Sequence, residues 1–372
     1  MIKVVYYTDQ IYLHGGIEKV LAQKLNYFAS LSEYEVHLIT TEQKGKQFCY
    51  PISDKVIHHD LEINYVREKS YFNPINFKKV PQHIKKLKST LKKIQPTVLI
   101  VCNLAFDFYF IPFISKNIKT VKEFHASRYY YNQRLPKVSF LKKLLFRIND
   151  YIESKYTNIV LLNEDEKKYY KSNNLVVIPN AISSINVEKP IKRENVIIAA
   201  GRMAQVKQFD HLIKAWSIIE KDFPDWEVQI YGEGDELISK KLNGLISKLS
   251  LTNIRLKGST NNLDIKMRQA SIYALSSLTE CFPMVLLEAL SCGLPIVSYD
   301  CPHGPKNIIT NNQDGILVEH NNIESFSIEL SKFIRNEKLR TQMGITAINN
   351  VKRYSEDRVM KKWIQLFKTT IV

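Results

Sequence analysis

Short apolar, β-branched runs alternate with longer stretches of helical pattern along almost the whole chain, and this alternation most restricts what it can fold into. Strands joined by helical crossovers run parallel, and a parallel sheet is covered on both faces. Strands are expected over Lys3 to Thr8, Glu35 to Thr40, Val98 to Cys102, Thr120 to Phe124, Asn158 to Leu162 and Leu175 to Ile178, with a helix over Glu18 to Leu31. A second series follows Pro179-Asn180. Its strands are Val196 to Ala200, Glu227 to Tyr231, Ile254 to Lys257, Ile272 to Leu275 and Pro295 to Tyr299, with helices over Phe209 to Lys221, Glu236 to Leu249 and Pro283 to Ser291. At 372 residues the chain exceeds what one core usually supports, so two domains are expected. The polar stretch Ser183 to Asn195 reads as their connection, giving residues 1–182 and 183–354, and Ser355 to Thr369 reads as a final amphipathic helix with Glu356 and Asp357 in its first turn.

The richest segment for chemistry is Ser277 to Asn307, SSLTECFPMVLLEALSCGLPIVSYDCPHGPKN. Glu280 and Glu288 are eight apart. Pro283 suits the first turn of a helix, where its missing N–H costs nothing, so Glu280 falls on the entering loop and Glu288 about one and a half turns in. That helix start offers unpaired N–H groups and a positive dipole to an anion, beside acids that can accept hydroxyls. By themselves two such acids could equally be a cap and a solvated side chain; the residues around them carry the argument.

Glu280 and Glu288 with the following EALSCGLPIV and GPKNII resemble the signature of retaining glycosyltransferases of family 4, which have the GT-B architecture of two Rossmann-like parallel-sheet domains facing a central cleft. The resemblance implies that Glu288 holds the donor ribose and that Glu280 contacts hydroxyls of the transferred sugar, with Cys281, Phe282, Pro283, Met284 and Val285 lining the same loop. It also implies that the carboxyl-terminal helix, residues 355–372, joins the first domain. Gly15 and Gly16, in His14-Gly15-Gly16-Ile17-Glu18 after the first strand, match the family's glycine loop beside the donor diphosphate and acceptor. Gly201-Arg202 and Lys207 match its GR and K positions, where two fixed cations stabilise a departing diphosphate more than the bound substrate. His125, closing Glu123-Phe124-His125, matches a histidine that touches the transferred sugar as an orienting group. Gly232, Gly234 and Lys257 match loops bordering the nucleoside.

Glu280, His125, Arg202 and Lys207 are thus the expected catalytic set, acting on a nucleotide-sugar donor, a UDP-sugar first among them, and a glycan or lipid-linked acceptor. No Asp-x-Asp motif occurs, so neither a metal nor another cofactor is expected. Two departures stand out: Cys281 occupies the usual glycine position after the first glutamate, where it could tune donor choice, and Lys306 and Asn307 replace the frequent Ser and Glu.

Charge sets a further expectation. The net charge is +16, and residues 1–185 hold 28 basic against 16 acidic groups. The excess concentrates in Lys78 to Lys93 and in Lys137 to Arg147, where Phe140, Leu141, Leu144, Leu145 and Ile148 sit beside Lys142, Lys143 and Arg147. Such stretches suit an anionic membrane surface as well as a solvated helix face, and they lack the context of a nucleic-acid motif. No apolar run reaches the ~20 residues needed to cross a bilayer, the amino terminus enters a strand pattern, and five cysteines without metal-type spacing read as reduced thiols, so a cytoplasmic location is expected, at the inner face of the cell membrane. The alternatives are a GT-B nucleotide-sugar epimerase, which would need acids and a histidine arranged for proton transfer, and a non-catalytic basic membrane-binding module, which leaves the twin glutamates without a purpose.

Overall fold

The structure, a computed structural model, describes residues 1–102, 105–129, 140–183 and 192–371. Residues 184–191 of the expected connection and 137–139 of the second basic stretch lie outside the described residues. The chain divides into two compact units, Met1–Pro179 with Val359–Val372, and Asn180–Arg358.

The first unit is built on seven parallel strands, β1 (Ile2–Thr8), β2 (Tyr34–Thr40), β3 (Ile57–Asp60), β4 (Val98–Val101), β5 (Lys119–Glu123), β6 (Asn158–Leu161) and β7 (Leu175–Val177), in the order β3-β2-β1-β4-β5-β6-β7. β4 is buried at every residue, as the run Val-Leu-Ile-Val requires of a strand covered on both faces. The last helix, Glu356–Ile371, belongs mostly to this unit because its buried residues Val359, Met360, Trp363, Leu366 and Phe367 recur at helical spacing. Phe367 lies 5.2 Å from Phe28, ring to ring, and Thr370 donates to the Asn158 side chain at 2.9 Å.

The second unit has six parallel strands, β8 (Val196–Ala200), β9 (Glu227–Tyr231), β10 (Ile254–Gly258), β11 (Ile272–Leu275), β12 (Ile296–Tyr299) and β13 (Gly315–Val318), in the order β10-β9-β8-β11-β12-β13. From β8 the chain winds outward through β9 to β10, and from β11 it winds the other way through β12 to β13. The winding therefore reverses between β8 and β11. In open α/β sheets that reversal leaves a crevice beyond the carboxyl ends of the strands, where ligands bind. In the first unit the same reversal falls between β1 and β4.

Two differences from expectation bear on the candidate site and on the basic stretches. Pro283 is the residue before the helix Met284–Ser291 rather than its first residue, with φ −69° and ψ 115°. The lysine-rich stretch forms a helix, Val80–Ile94, whose inner row His83, Leu87, Leu91 and Ile94 is buried against the first core, so that row is not available to a membrane. Among the described residues no helix is long and apolar enough to cross a bilayer.

Candidate functional site

At the reversal point of the second unit two loops leave neighbouring strand ends. Tyr273, fully buried on β11, fixes them: its hydroxyl donates to the Ala200 carbonyl at 3.2 Å and accepts from the Ala200 N–H at 3.3 Å, and burial pushes the phenol well above its ordinary pKa. The loop after β8 carries Gly201, Arg202 and Lys207, and the loop after β11 carries Ser276, Ser277 and Glu280. The structure brings the two together: Lys207 Nζ lies 2.6 Å from Glu280 Oε1, which also accepts from Ser277 Oγ at 2.7 Å. Backbone bonds hold the loops in register, with Leu278 N–H donating to Val206 at 2.8 Å and the Ser276 hydroxyl to the Lys207 carbonyl at 3.1 Å.

Glu280 is braced from its other side as well. Its N–H donates to Pro302 at 3.1 Å, and its carbonyl accepts from His303 and Gly304, each at 2.9 Å. Gly304 has no room for a side chain, since a Cβ there would stand 2.8 Å from the Glu280 Cβ and from Pro283 Cδ. Glu288 is buried in the helix Met284–Ser291. Cys281, Phe282, Pro283 and Met284 are buried too, and Phe282 packs edge-on against Tyr354 at 5.3 Å. What this loop can offer a ligand is therefore mainly backbone N–H rather than these side chains. Arg202 is exposed, as is Lys257 on the edge strand β10.

The candidate glycines separate into two kinds. Gly232 has φ +138°, and a Cβ there would fall on the Gly201 carbonyl oxygen; at Gly234 it would stand 2.6 Å from the Met203 carbonyl oxygen. These glycines let β8 and β9 loops approach each other, a need of the fold that is independent of any nucleoside. At Gly201 the stem of Lys207 lies across the position of a Cβ, 3.2 Å away. In the first unit, Gly16 has nothing within 4 Å of a built Cβ, and Gly15 meets only the end of the Glu18 side chain. Gly232→Ala is accordingly expected to cost at least about 2 kcal/mol in chemical denaturation. Gly16→Ala is expected to leave stability within about 0.5 kcal/mol while weakening substrate binding. Equal effects of the two on stability would show that this distinction is wrong.

The loop before Gly16 is organised by Gln10, which the sequence reading did not single out. Its side-chain oxygen accepts from Tyr12 and Leu13 N–H at 2.7 and 2.8 Å, and its amide donates to Glu18 at 2.6 Å. Burial raises the Glu18 carboxyl pKa. Further along the same sheet edge, His125 Nε2 lies 3.4 Å from Glu123 Oε1. Glu123 is 1% exposed and ion-paired with Lys24, 3% exposed, and Cys102 donates to its other oxygen at 3.6 Å. Burial alone would raise the Glu123 pKa; Lys24 and then His125 outweigh it and hold the carboxyl well below its ordinary range. His125 thus faces a fixed anion.

Among the described residues no group of three or more His, Cys, Asp or Glu side chains could hold a metal ion. All five cysteines are free, and burial is the main cause raising the pKa of Cys292 and Cys301.

Two units, each a parallel sheet with Rossmann-like winding and a loop site at its reversal point, define the GT-B class of glycosyltransferase. The chain is 30% identical over 371 residues to an uncharacterized glycosyltransferase of Haemophilus influenzae, covering 98% of this chain and 99% of the relative. The family model for glycosyl transferases group 1 matches residues 182–350. The protein belongs to this glycosyltransferase family. A Staphylococcus aureus poly(ribitol-phosphate) alpha-N-acetylglucosaminyltransferase is 25% identical over 222 residues, a match that covers 58% of this chain and 45% of that protein. Among solved structures, a mutant of S. aureus TarM in complex with fondaparinux, alpha-GlcNAc-glycerol and UDP superposes with a TM-score of 0.78 at 16% identity, over 99% of this chain and 100% of the other.

Proposed function

We propose that this enzyme is a retaining glycosyltransferase of family 4. In this reading it moves a hexose-type sugar from a UDP-sugar to a hydroxyl of a glycan or lipid-linked acceptor, in the synthesis of a cell-envelope polysaccharide at the inner face of the membrane. The observation that carries the reading is the contact of Lys207 with Glu280 across the reversal point of the second sheet. A cation for the leaving diphosphate and an acid for the sugar hydroxyls stand side by side there, as the donor's own phosphate and sugar do. Relatives with named activities support a hydroxyl-bearing polymer as the acceptor. One transfers N-acetylglucosamine to poly(ribitol-phosphate), and another is a poly(glycerol-phosphate) alpha-glucosyltransferase of Bacillus subtilis.

In the proposed reaction the bond from the anomeric carbon to the β-phosphate oxygen breaks as the acceptor oxygen bonds on the same face, and the acceptor proton passes to the departing phosphate. Lys207 and Arg202 stabilise the charge that develops on that phosphate. Double displacement would need a free carboxylate beneath the anomeric carbon. Glu280 instead is already bound by Lys207 and Ser277, an arrangement that favours hydrogen bonding over nucleophilic attack. Glu288 holds the ribose, and His125 orients the transferred sugar. No metal is required in this scheme.

The test is nucleoside diphosphate release from UDP-, GDP-, ADP- and dTDP-sugars in EDTA, with the acceptor glycan supplied and Glu288→Ala as control. Release from a UDP-sugar that survives EDTA and falls at least tenfold in the variant is the expected result. Conversion of the donor sugar without transfer would favour an epimerase, and loss of all turnover in EDTA would contradict the metal-free scheme.

A further inference from the structure

The first unit carries an exposed aromatic cluster beyond the carboxyl ends of β3 and β4. Phe72, Ile75 and Phe77 are 56%, 46% and 55% exposed, and Phe106 joins the two phenylalanines at ring distances of 5.3 and 5.9 Å. Large side chains left this open on a rigid surface mark an interaction site. The surface is rigid because Asn76, wholly buried, accepts from the Val66 N–H at 2.8 Å and donates to the carbonyls of Val66, Lys69 and Ser70. Arg67 ties the same loop to Asp9, at 2.7 Å, and to Glu42. Asp9 opens the loop that leads to Gly15 and Gly16.

Charge decides what covers this cluster. From Lys69 to Lys93 the chain holds eight lysines and no carboxylate. Lys79 and Lys86 are used internally, donating to the carbonyls of Asn64 and Leu61. The other six are exposed, and Lys85, Lys88 and Lys92 form one row of the helix Val80–Ile94, opposite its buried row. A soluble polyanion would satisfy the lysines and leave the phenylalanines in water. A bilayer interface with anionic headgroups satisfies both.

We infer that Phe72, Ile75 and Phe77, with the lysine row 85, 88 and 92, form a docking surface for an anionic lipid bilayer. The inference deepens the reading of a membrane-borne acceptor, on which its purpose rests, by assigning the surface. The apolar side chains insert while the lysines meet the headgroups, each lysine worth about fivefold in partitioning.

The test is sedimentation of the full chain with vesicles of phosphatidylcholine alone or with about 30 mole per cent phosphatidylglycerol, which gives the surface a negative potential. Two variants are compared with the parent, Phe72→Ser/Phe77→Ser and Lys85→Glu/Lys88→Glu/Lys92→Glu. The parent should bind only the anionic vesicles, and each variant at least tenfold more weakly, with nucleoside diphosphate release from a UDP-sugar in the presence of a water-soluble acceptor unchanged. That unchanged release separates this surface from the donor site: losing release in the parent would refute the transferase reading and leave the vesicle result standing. Failure of the parent to bind anionic vesicles would overturn the docking surface. So would full binding by both variants, which would move the contact elsewhere, for example to Leu144 and Ile148, exposed on the helix Phe140–Glu153. A change of oligomeric state in the phenylalanine variant without loss of vesicle binding would likewise overturn it, in favour of a second copy as the occupant.

Discussion

Lys207→Ala is expected to lower kcat for sugar transfer by about 10²–10³, with a much smaller change in donor KM. The size follows from what the lysine does in the proposed step. A fixed donor aimed at charge that grows in the transition state typically contributes ~3–4 kcal/mol. Lys207 is held for this role by its own surroundings, its stem lying over Gly201 and its ammonium on Glu280. The same contact limits what the variant can mean. Removing Lys207 leaves Glu280 bonded to Ser277, so the carboxylate keeps one of its two side-chain partners, and Ser277→Ala serves as the comparison that loosens Glu280 while retaining the cation. Ser277→Ala removes a hydrogen bond to a carboxylate, a loss of about 1.5–3 kcal/mol at most, and should lower kcat less than Lys207→Ala does. If Lys207→Ala stays within twofold of the parent, or if the serine variant is the worse of the two, the lysine is not stabilising the leaving group.

The second large effect concerns stability. Glu123→Gln should destabilise the first unit by about 3–5 kcal/mol in urea denaturation, because it leaves the Lys24 ammonium buried without its counter-charge. The pair is part of a wider buried arrangement, with Lys24 4.4 Å above the Trp363 ring and Lys122 donating at 3.1 Å to the carbonyls of Val101 and Glu123. Burial is the main cause that lowers the Lys122 pKa to about 8. The pH dependence has a definite sign. Glu123 has its folded pKa below the ordinary value of 4.5, so its contribution is present above that value and is lost as pH falls below it. The parent should therefore lose stability below pH 4.5 in a part that the variant lacks. Replacing both partners, as Glu123→Leu with Lys24→Met, should recover most of the loss, since a buried pair is often matched by apolar side chains of similar size. A single variant as stable as the parent would show that the pair contributes little.

Most strands could be read from the sequence because each is a short β-branched run set between helices; β8, β9 and β11 have the expected ends. β3 could not, since Ile-His-His-Asp is a polar edge strand with no fully buried residue, and β13, Gly-Ile-Leu-Val, opens on a glycine. The candidate site was legible where its residues are concentrated in one segment, as from Ser277 to Glu288. It was not legible where partners are far apart in the chain. Tyr273 is ordinary in a strand pattern until it meets Ala200, 73 residues away, and Lys24 and Glu123 are 99 residues apart. Ser277 did carry a signal, a hydroxyl three residues before Glu280. The glycines show the reverse case: Gly232 and Gly234 fit a ligand loop by pattern, yet their missing side chains are required by the packing of neighbouring backbone. The lysine-rich stretch shows why an amphipathic pattern alone does not identify a membrane helix, since its apolar row serves the core and the exposed aromatics that give it a docking role precede it in sequence.

The most direct measurement is calorimetric binding of UDP in EDTA to the parent, to Lys207→Ala and to Glu288→Ala. Micromolar binding by the parent, weakened at least tenfold in each variant, is the result predicted for a metal-free diphosphate and ribose site at the reversal point of the second sheet. Binding that needs a divalent ion, or that both variants keep unchanged, would contradict it.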